Sequence, residues 1–404
     1  MIDKDMFEGI RVVELAQWVF VPVAGALFAD WGADVIRIEH PDGDPYRALA
    51  TQGIGADSGG VNLNVALANR GKRSLAIDIK TPEGVAILHK LLASADVLLT
   101  SLRPDALSRL GLGAEQVRQR YPKLVYARGH GYGVRGPDAN MAGYDASAFF
   151  ARGGVSDALT PPDRDYPISQ RGAMGDRNGG MALAFGIASA LLKRERSGKG
   201  SVVDVSLLAT AMWTLSSDLL TALKGQPIPR PGSRYDSPNP LTGTYKTADG
   251  RFIQLMFLQP DRYWPEFCQA FDRLDLMDDE RFKDLKSRRA NSQACVEELD
   301  VEFAKYSFQE CQSRLRKIDV PWSPVQRIDE LLDDPQVIEN NYIGEVNLDD
   351  EIQYRLPTVP VQFDEQPPKL ERAPELGEHT EAILLELGLE WSEVEELQAK
   401  SVIP

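Results

Sequence analysis

The sequence predicts an α/β fold: a large, doubly wound, mainly parallel sheet domain and a smaller α+β domain, joined by long linkers. Three observations carry this expectation. Short apolar runs of strand length alternate with amphipathic helix-length stretches through the first half of the chain, the pattern of β-α-β units whose sheet is covered on both faces. Residues 225–240 are crowded with proline and glycine, which reads as a connector. Past that stretch come a hairpin pattern, several helices and a second proline-bearing stretch at 366–374. A chain of 404 residues is long enough for two or three such domains.

Taken in order, residues 10–15 read as a buried strand, 22–30 as a helix and 34–39 as a second strand after Gly32. The alternation continues with a strand at 73–79, a helix at 82–92 and strands at 96–99 and 124–127. Pro82 suits the first turn of its helix, where no backbone N–H is needed. Met181, Ala184, Phe185, Ala188, Leu191 and Leu192 recur at helical spacing before a Gly198-Lys199-Gly200 stop, predicting a buried helix. A strand at 202–207 and a helix at 208–223 follow, then a hairpin at 245–258 around Ala248-Asp249-Gly250. Helices through Trp264, Leu299 and Cys311 precede the last two, at 378–387 and 393–399. The expected organisation is 1–224 for the first part of the large domain, 225–240 for a linker and 241–330 for the small domain. A return linker at 331–374 and C-terminal helices at 375–404 complete the large domain.

Composition narrows the function. A formal net charge of −15 argues against nucleic acid as a partner, because a polyphosphate backbone requires clustered positive charge. An anionic ligand would therefore need a local basic pocket. No apolar run approaches the ~20 residues of a membrane helix, and Met1-Ile2-Asp3-Lys4-Asp5-Met6 lacks the pattern of a secretion signal. A cytoplasmic location with no membrane partner is expected. Cys268, Cys295 and Cys311 have no CxxC spacing and read as core thiols.

In parallel sheets ligands lie beyond the carboxyl ends of the strands, which directs attention to the loops 17–21, 101–104 and 129–133. The third contains Gly131-Tyr132-Gly133-Val134-Arg135-Gly136, a GxGxxG match, yet Pro137-Asp138-Ala139-Asn140 follows in place of the helix a dinucleotide needs. A GxxxxGK phosphate loop, HExxH and GxSxG are absent from the sequence. What stands out is Gly172-Ala173-Met174-Gly175-Asp176-Arg177-Asn178-Gly179-Gly180 at the mouth of the long helix. Asp176 there reads in two ways: as a plain N-cap, or as a nucleophile kept ionised by the positive end of the helix dipole. The four glycines favour a special site, since glycine serves where a chain turns oddly or another group approaches closely.

At this point the residues resemble the family III CoA-transferases, which include formyl-CoA transferases and carnitine and bile-acid CoA-transferases. The resemblance runs through residues 7–15, Pro22, 32–39, 69–74 and 80–84, then Leu110-Gly111-Leu112 and Gly143-Tyr144-Asp145. It continues over the Asp176 stretch, Gly198-Lys199-Gly200 and Leu376-Gly377-Glu378-His379-Thr380. Singly weak, these signals are specific in this order and spacing. The resemblance implies acyl transfer through Asp176: attack on an acyl-CoA thioester gives a mixed anhydride, and the returning CoA thiolate gives an aspartyl-CoA thioester. An acceptor carboxylate then reverses these steps. CoA thioester is a substrate in this scheme, and neither a metal nor a permanently bound cofactor is required.

By the same resemblance Val19, Phe20, Lys72, Ser101, Leu102, Arg109 and His130 fall where the family lines its CoA site, with Lys72 and Arg109 toward phosphates and Val19 and Phe20 flanking adenine. The glycine-rich turn of Gly129, Gly131 and Gly133 is the candidate source of oxyanion donors. His130 replaces a lysine common in formyl-CoA transferases. Leu255-Met256-Phe257-Leu258-Gln259-Pro260 replaces their glycine run, which disfavours formyl-CoA and oxalate and favours a larger acyl group. The family further implies an interlocked homodimer whose active site lies between the large domain of one subunit and the small domain of the other. Two alternatives are an α-methylacyl-CoA racemase of the same fold and a CoA-binding protein without catalysis. The racemase needs two proton-transfer groups, and Tyr144 stands where its Gly-His-Asp histidine would be; the intact Asp176 speaks against the non-catalytic reading.

Overall fold

The computed structural model describes residues 5–49, 57–58, 61–228, 232–348 and 352–404. Its large unit is built on six parallel strands: β1 (Arg11–Leu15), β2 (Asp34–Glu39), β3 (Arg73–Ala76), β4 (Val97–Thr100), β5 (Val125–His130) and β6 (Val202–Ser206). Their order is β3-β2-β1-β4-β5-β6, so the winding reverses between β1 and β4. Loops leaving the carboxyl ends of these two neighbours diverge and open a crevice, which is where this class of sheet takes its ligands.

The sheet is buried on both faces. On one side Val13, Ile36, Leu75, Leu98 and Tyr126 pack against α2 (Pro82–Ala93) and the C-terminal residues Ile383, Leu384, Val394 and Ile403. On the other, Val12, Val35, Val97, Leu99 and Val125 meet α1 (Phe20–Asp30) and α3 (Met174–Ser197). The expected stripe on α3 is only partly correct. Leu191 is buried, but Met181, Phe185 and Leu192 are 37%, 75% and 56% exposed, and the inward face is Gly175, Gly179, Gly180, Leu183 and Ile187. Helix packing explains the rotation: a Cβ on Gly179 would come 2.6 Å from a ring carbon of Phe20, and one on Gly180 would come 2.8 Å from Val23 Cγ1. Small residues let α1 and α3 close together, and the larger side chains turn outward.

The expected helix over 208–223 is two, Leu207–Thr214 and Ser216–Leu223, separated at Leu215. Thr210 and Thr214 donate their hydroxyls back to the carbonyls of Ser206 and Thr210 at 2.9 Å, a pattern that bends helices. The chain divides into two compact units, one of Met1–Leu159, Tyr166–Pro227 and Gln336–Pro404, the other of Thr160–Asp165 and Ile228–Pro335. The second unit has a three-stranded antiparallel sheet of Thr244–Lys246, Phe252–Leu255 and Trp322–Pro324. Its core gathers Trp264, Phe267, Phe271 and Phe303 with all three cysteines.

Residues 331–374, expected as a bare return linker, contain an antiparallel hairpin of Ile343–Asn347 and Gln353–Pro357. Val346, Tyr354 and Leu356 bury one face of it with Val61, Ala66 and Leu370, so this stretch carries part of the large unit's core. Of the 225–240 connector, residues 229–231 lie outside the described residues. Among the described residues no helix is long and apolar enough to cross a membrane.

Candidate active site

After β1 the chain enters the crevice with Gln17 and Trp18. The Gln17 N–H donates to Ser101 Oγ at 3.0 Å, tying this loop to the one after β4. Trp18 has φ +68°, a left-handed conformation costly for a bulky residue. Asp44 holds it there, accepting the Trp18 N–H at 3.1 Å and the Tyr46 N–H at 2.9 Å while pairing with the buried Arg37. The Trp18 ring stands edge-on to Tyr144 at 5.4 Å and 6.3 Å from Tyr46.

Gln17, Trp18 and Tyr144 wall a cavity of about 280 Å³ that reaches Ser101, Leu102 and Arg103 after β4, Gly129, His130 and Gly131 at the end of β5, and Asp176. Asp176 is the third residue of α3; the position before the helix is Ala173, with φ +59° and no capping side chain. The N-cap reading of Asp176 is therefore replaced by that of a partly buried carboxylate in a cavity wall. Burial pushes its pKa up to about 7, the neighbouring Asp145 carboxylate pushes the same way, and the Arg177 guanidinium offsets part of the rise. Desolvation and a like charge thus oppose the helix dipole expected to keep this carboxylate ionised. His130 is buried; desolvation, then the charge of Arg128, hold its imidazole down to about 4, so it is neutral at pH 7. Its Nε2 has no hydrogen-bond partner among the described residues.

A second cavity, of about 650 Å³, lies beside the first and shares Gln17, Leu102 and Ala106 with it. It sits over the carboxyl ends of β1 and β2, and its wall includes His40, Lys80 and Arg109. Asp176 thus lies in the wall of one cavity and Arg109 in the wall of its neighbour. Among the described residues no group of three or more His, Cys, Asp or Glu is placed to hold a metal ion.

The sequence model of one family, described as CoA-transferase family III, matches residues 7–380. The chain belongs to this family. Over 405 residues it is 36% identical to the cinnamoyl-CoA:phenyllactate CoA-transferase of Clostridium sporogenes, covering 98% of this chain and 97% of that one. It is 33% identical to the (R)-2-hydroxy-4-methylpentanoate CoA-transferase of Clostridioides difficile, covering 98% and 99%. Similarity extends to the mouse alpha-methylacyl-CoA racemase, 30% identical with 98% and 97% covered. Among solved structures, a CAIB/BAIF family protein from Brucella suis superposes with a TM-score of 0.80 at 29% identity, over 94% of this chain and 98% of that one. This family III CoA-transferase is thus an enzyme of CoA thioester chemistry.

Of the residues expected at its CoA site, Phe20, Ser101, Leu102 and His130 line the cavity that contains Asp176, as do Gly129 and Gly131, and Arg109 lines the neighbouring one. Three lie elsewhere. Lys72 is fully buried, its Nζ 2.9 and 2.7 Å from the two carboxylate oxygens of Glu14, 2.8 Å from the Pro22 carbonyl and 3.1 Å from Asn69 Oδ1. Its protons are thus committed to internal acceptors in this structure. Val19 is buried with Tyr46 and Val65 rather than exposed to a ligand. Gly133, at φ +97°, lines a further cavity of about 280 Å³ with Tyr132 and Arg135, which shares His130 with the first. Trp18, Arg103, Met141 and Asp145 are residues to which the sequence assigns no individual role; Trp18 and Arg103 lie in the loops 17–21 and 101–104 it points to and Asp145 in the Gly143-Tyr144-Asp145 motif, while Met141 carries no signal.

Proposed function

We propose that this enzyme moves CoA from an acyl-CoA thioester to a free carboxylic acid through covalent acylation of Asp176. The single observation that carries this reading is a carboxylate, raised to about 7 by burial and a like charge, in the wall of a cavity at the carboxyl edge of the sheet. Such a carboxylate is ionised about half the time at neutral pH and is poorly solvated when it is, which suits a nucleophile. It attacks the thioester carbonyl and expels CoA thiolate; the thiolate attacks the aspartyl carbonyl of the anhydride and releases the donor acid. The acceptor acid runs these two steps backwards. The Gly129 to Gly131 turn and neutral His130 are the candidate donors to the oxyanion, and Arg109 the candidate phosphate contact.

Trp18, Phe20, Met141, Tyr144 and Leu207 give the wall around Asp176 an apolar and aromatic part, which stands beside the polar side chains of Gln17, Ser101, Arg103 and His130. Together with the acids named for the two clostridial relatives, this favours aromatic or branched-chain 2-hydroxy acids and their CoA thioesters as substrates. Incubation with a panel of such thioesters followed by mass spectrometry is expected to place CoA on the peptide carrying Asp176. Hydroxylamine then inactivates the wild type by leaving a hydroxamate on Asp176, whereas Asp176→Ala, which has no transfer activity, gains none. Turnover by that variant at the wild-type rate would sink the mechanism. In the racemase reading a base must take the α-proton, and Tyr144 is a weak one; in deuterated water no α-carbon exchange is expected. For assembly we infer the interlocked homodimer of the resemblance, and sedimentation equilibrium at nanomolar concentration is expected to find no folded monomer.

A further inference from the structure

Asp145 opens a π-helical turn, Asp145–Ala151, that packs against the start of α3. Gly175 makes the approach possible: a Cβ there would overlap the Phe149 ring and the Asp145 carboxylate. The result is a second carboxylate beside Asp176, 5% exposed, with neither oxygen hydrogen-bonded among the described residues. The backbone amides of Gly175, Asp176 and Ala173 lie near enough to ease its charge without completing a hydrogen bond, and burial still raises its pKa. Arg177 is the opposing cation, yet its Nη1 is committed to the Gly172 carbonyl at 2.8 Å and its Nε has no partner. The other polar groups near the pair give little relief. Asp44 is bound to Arg37, Trp18 and Tyr46, His130 is neutral at pH 7, and Arg103, Tyr46 and Tyr144 make no hydrogen bond to Asp145. A buried carboxylate left unpaired is costly, and proteins ordinarily neutralise it or remove it.

We propose that Asp145 is a positioning residue for CoA transfer: a buried carboxylate with no completed hydrogen bond among the described residues, whose repulsion destabilises the free Asp176 nucleophile and is relieved once Asp176 becomes an acyl group. The inference rests on the proposed covalent role of Asp176. In the first step the Asp176 oxygen forms a bond to the acyl carbon, the C–S bond breaks and the thiolate leaves with the electron pair. In the second, sulfur bonds to the aspartyl carbonyl carbon, the anhydride C–O bond breaks and the donor acid departs as a carboxylate. No proton is gained or lost, and the negative charge that faced Asp145 leaves with the donor acid. The covalent aspartyl-CoA state is therefore the one in which Asp145 is no longer opposed, and ionised Asp176 is the one in which it is. Asp145 is not part of the lining of the cavity that contains Asp176, and in this proposal it acts through Asp176.

The test uses the full-length enzyme with isotope-labelled aspartate. The carboxyl signal that disappears in Asp176→Asn is assigned to Asp176 and titrated in the free protein. It is expected near pH 7 in the wild type, lower by about one unit in Asp145→Asn, where the like charge is gone, and near the wild-type position in Asp145→Glu, where the charge is kept. The acid limb of kcat/KM should move with it, and at about pH 8.5, where Asp176 is ionised in both proteins, the ratio of aspartyl-CoA to free enzyme at fixed thioester and acid should fall about tenfold in Asp145→Asn. Asp145→Ser is a second neutral variant if the first does not fold. An Asp176 titration unmoved by loss of the charge overturns the proposal, whether or not activity falls. A titration that moves while no thioester forms an adduct on the wild type would leave the carboxylate pair standing and remove the transferase reading instead.

Discussion

Glu14 and Asp176 are both carboxylates withdrawn from water in the same unit, and their surroundings are opposite. Glu14 is fully buried and faces Lys72 at 2.7 Å, with Arg37 at 3.8 Å. Asp176 faces another carboxylate and one guanidinium. The first arrangement returns most of the cost of desolvation through hydrogen bonds and opposite charge; the second leaves much of it standing. Lys72 responds in kind: burial brings its ammonium down to about 8, with Glu14 the main opposing influence. A charge that is paired contributes to a fold, whereas a charge left unpaired in a cavity wall is available for chemistry.

The sharpest way to break this comparison is to remove a partner from the paired site. Lys72→Met leaves Glu14 buried beside Arg37 alone and is expected to cost about 3 kcal/mol, at the low end for a broken buried pair because one cation remains; urea unfolding measures it. Arg109→Ala, on the cavity wall, is the control for whether Lys72 meets phosphate: it should raise the KM for the thioester without loss of stability.

The unpaired site should behave in the opposite sense. The Asp176 carboxyl ionises near 3.8 when unfolded and about 7 when folded, so its ionisation opposes folding. That penalty is absent below about pH 4, grows as pH rises toward 7 and is complete above it. Asp176→Asn should therefore stabilise the protein by ~1–2 kcal/mol at pH 8, after allowance for partial exposure, and by nothing at pH 3.5. Thermal unfolding at the two pH values decides this. The smallest effect is expected at the helix contact: in Gly179→Ala the new methyl presses on Phe20 while helix propensity improves, for a net loss of ~1 kcal/mol.

Much of the fold was legible because its signals are local. Val12, Val13, Val35, Ile36, Leu98 and Leu99 announce strands in which both faces are buried, and Pro82 and Gly198 mark helix ends. The hairpin at 343–357 was legible too, since Gln353-Tyr354-Arg355-Leu356 alternates outward and inward, but the prolines around it dominated the reading. The pairing of Lys72 has no local signal, since its partner Glu14 is 58 residues away. The outward turn of Phe185 could not be read from spacing alone, as it depends on which face of α3 presents glycine to α1. Asp176 was found through its glycines and the family resemblance. Asp145 was quoted within a motif and given no role, for what distinguishes it is the lack of a partner, a property of the folded surroundings and not of the sequence.

The left-handed turn at Trp18 divides the cavity into a wall that resists change and a wall that accepts it. Trp18 is locked to Asp44 and, through Arg37, to the buried charges under the sheet, so altering that side disturbs the architecture itself. Met141 and Ala142 stand in an irregular segment, and Met141 is 52% exposed. Divergence in acyl preference among descendants of such a chain would accumulate on this second side, where side chains can be exchanged at little structural risk, while the tryptophan side persists as an inherited template.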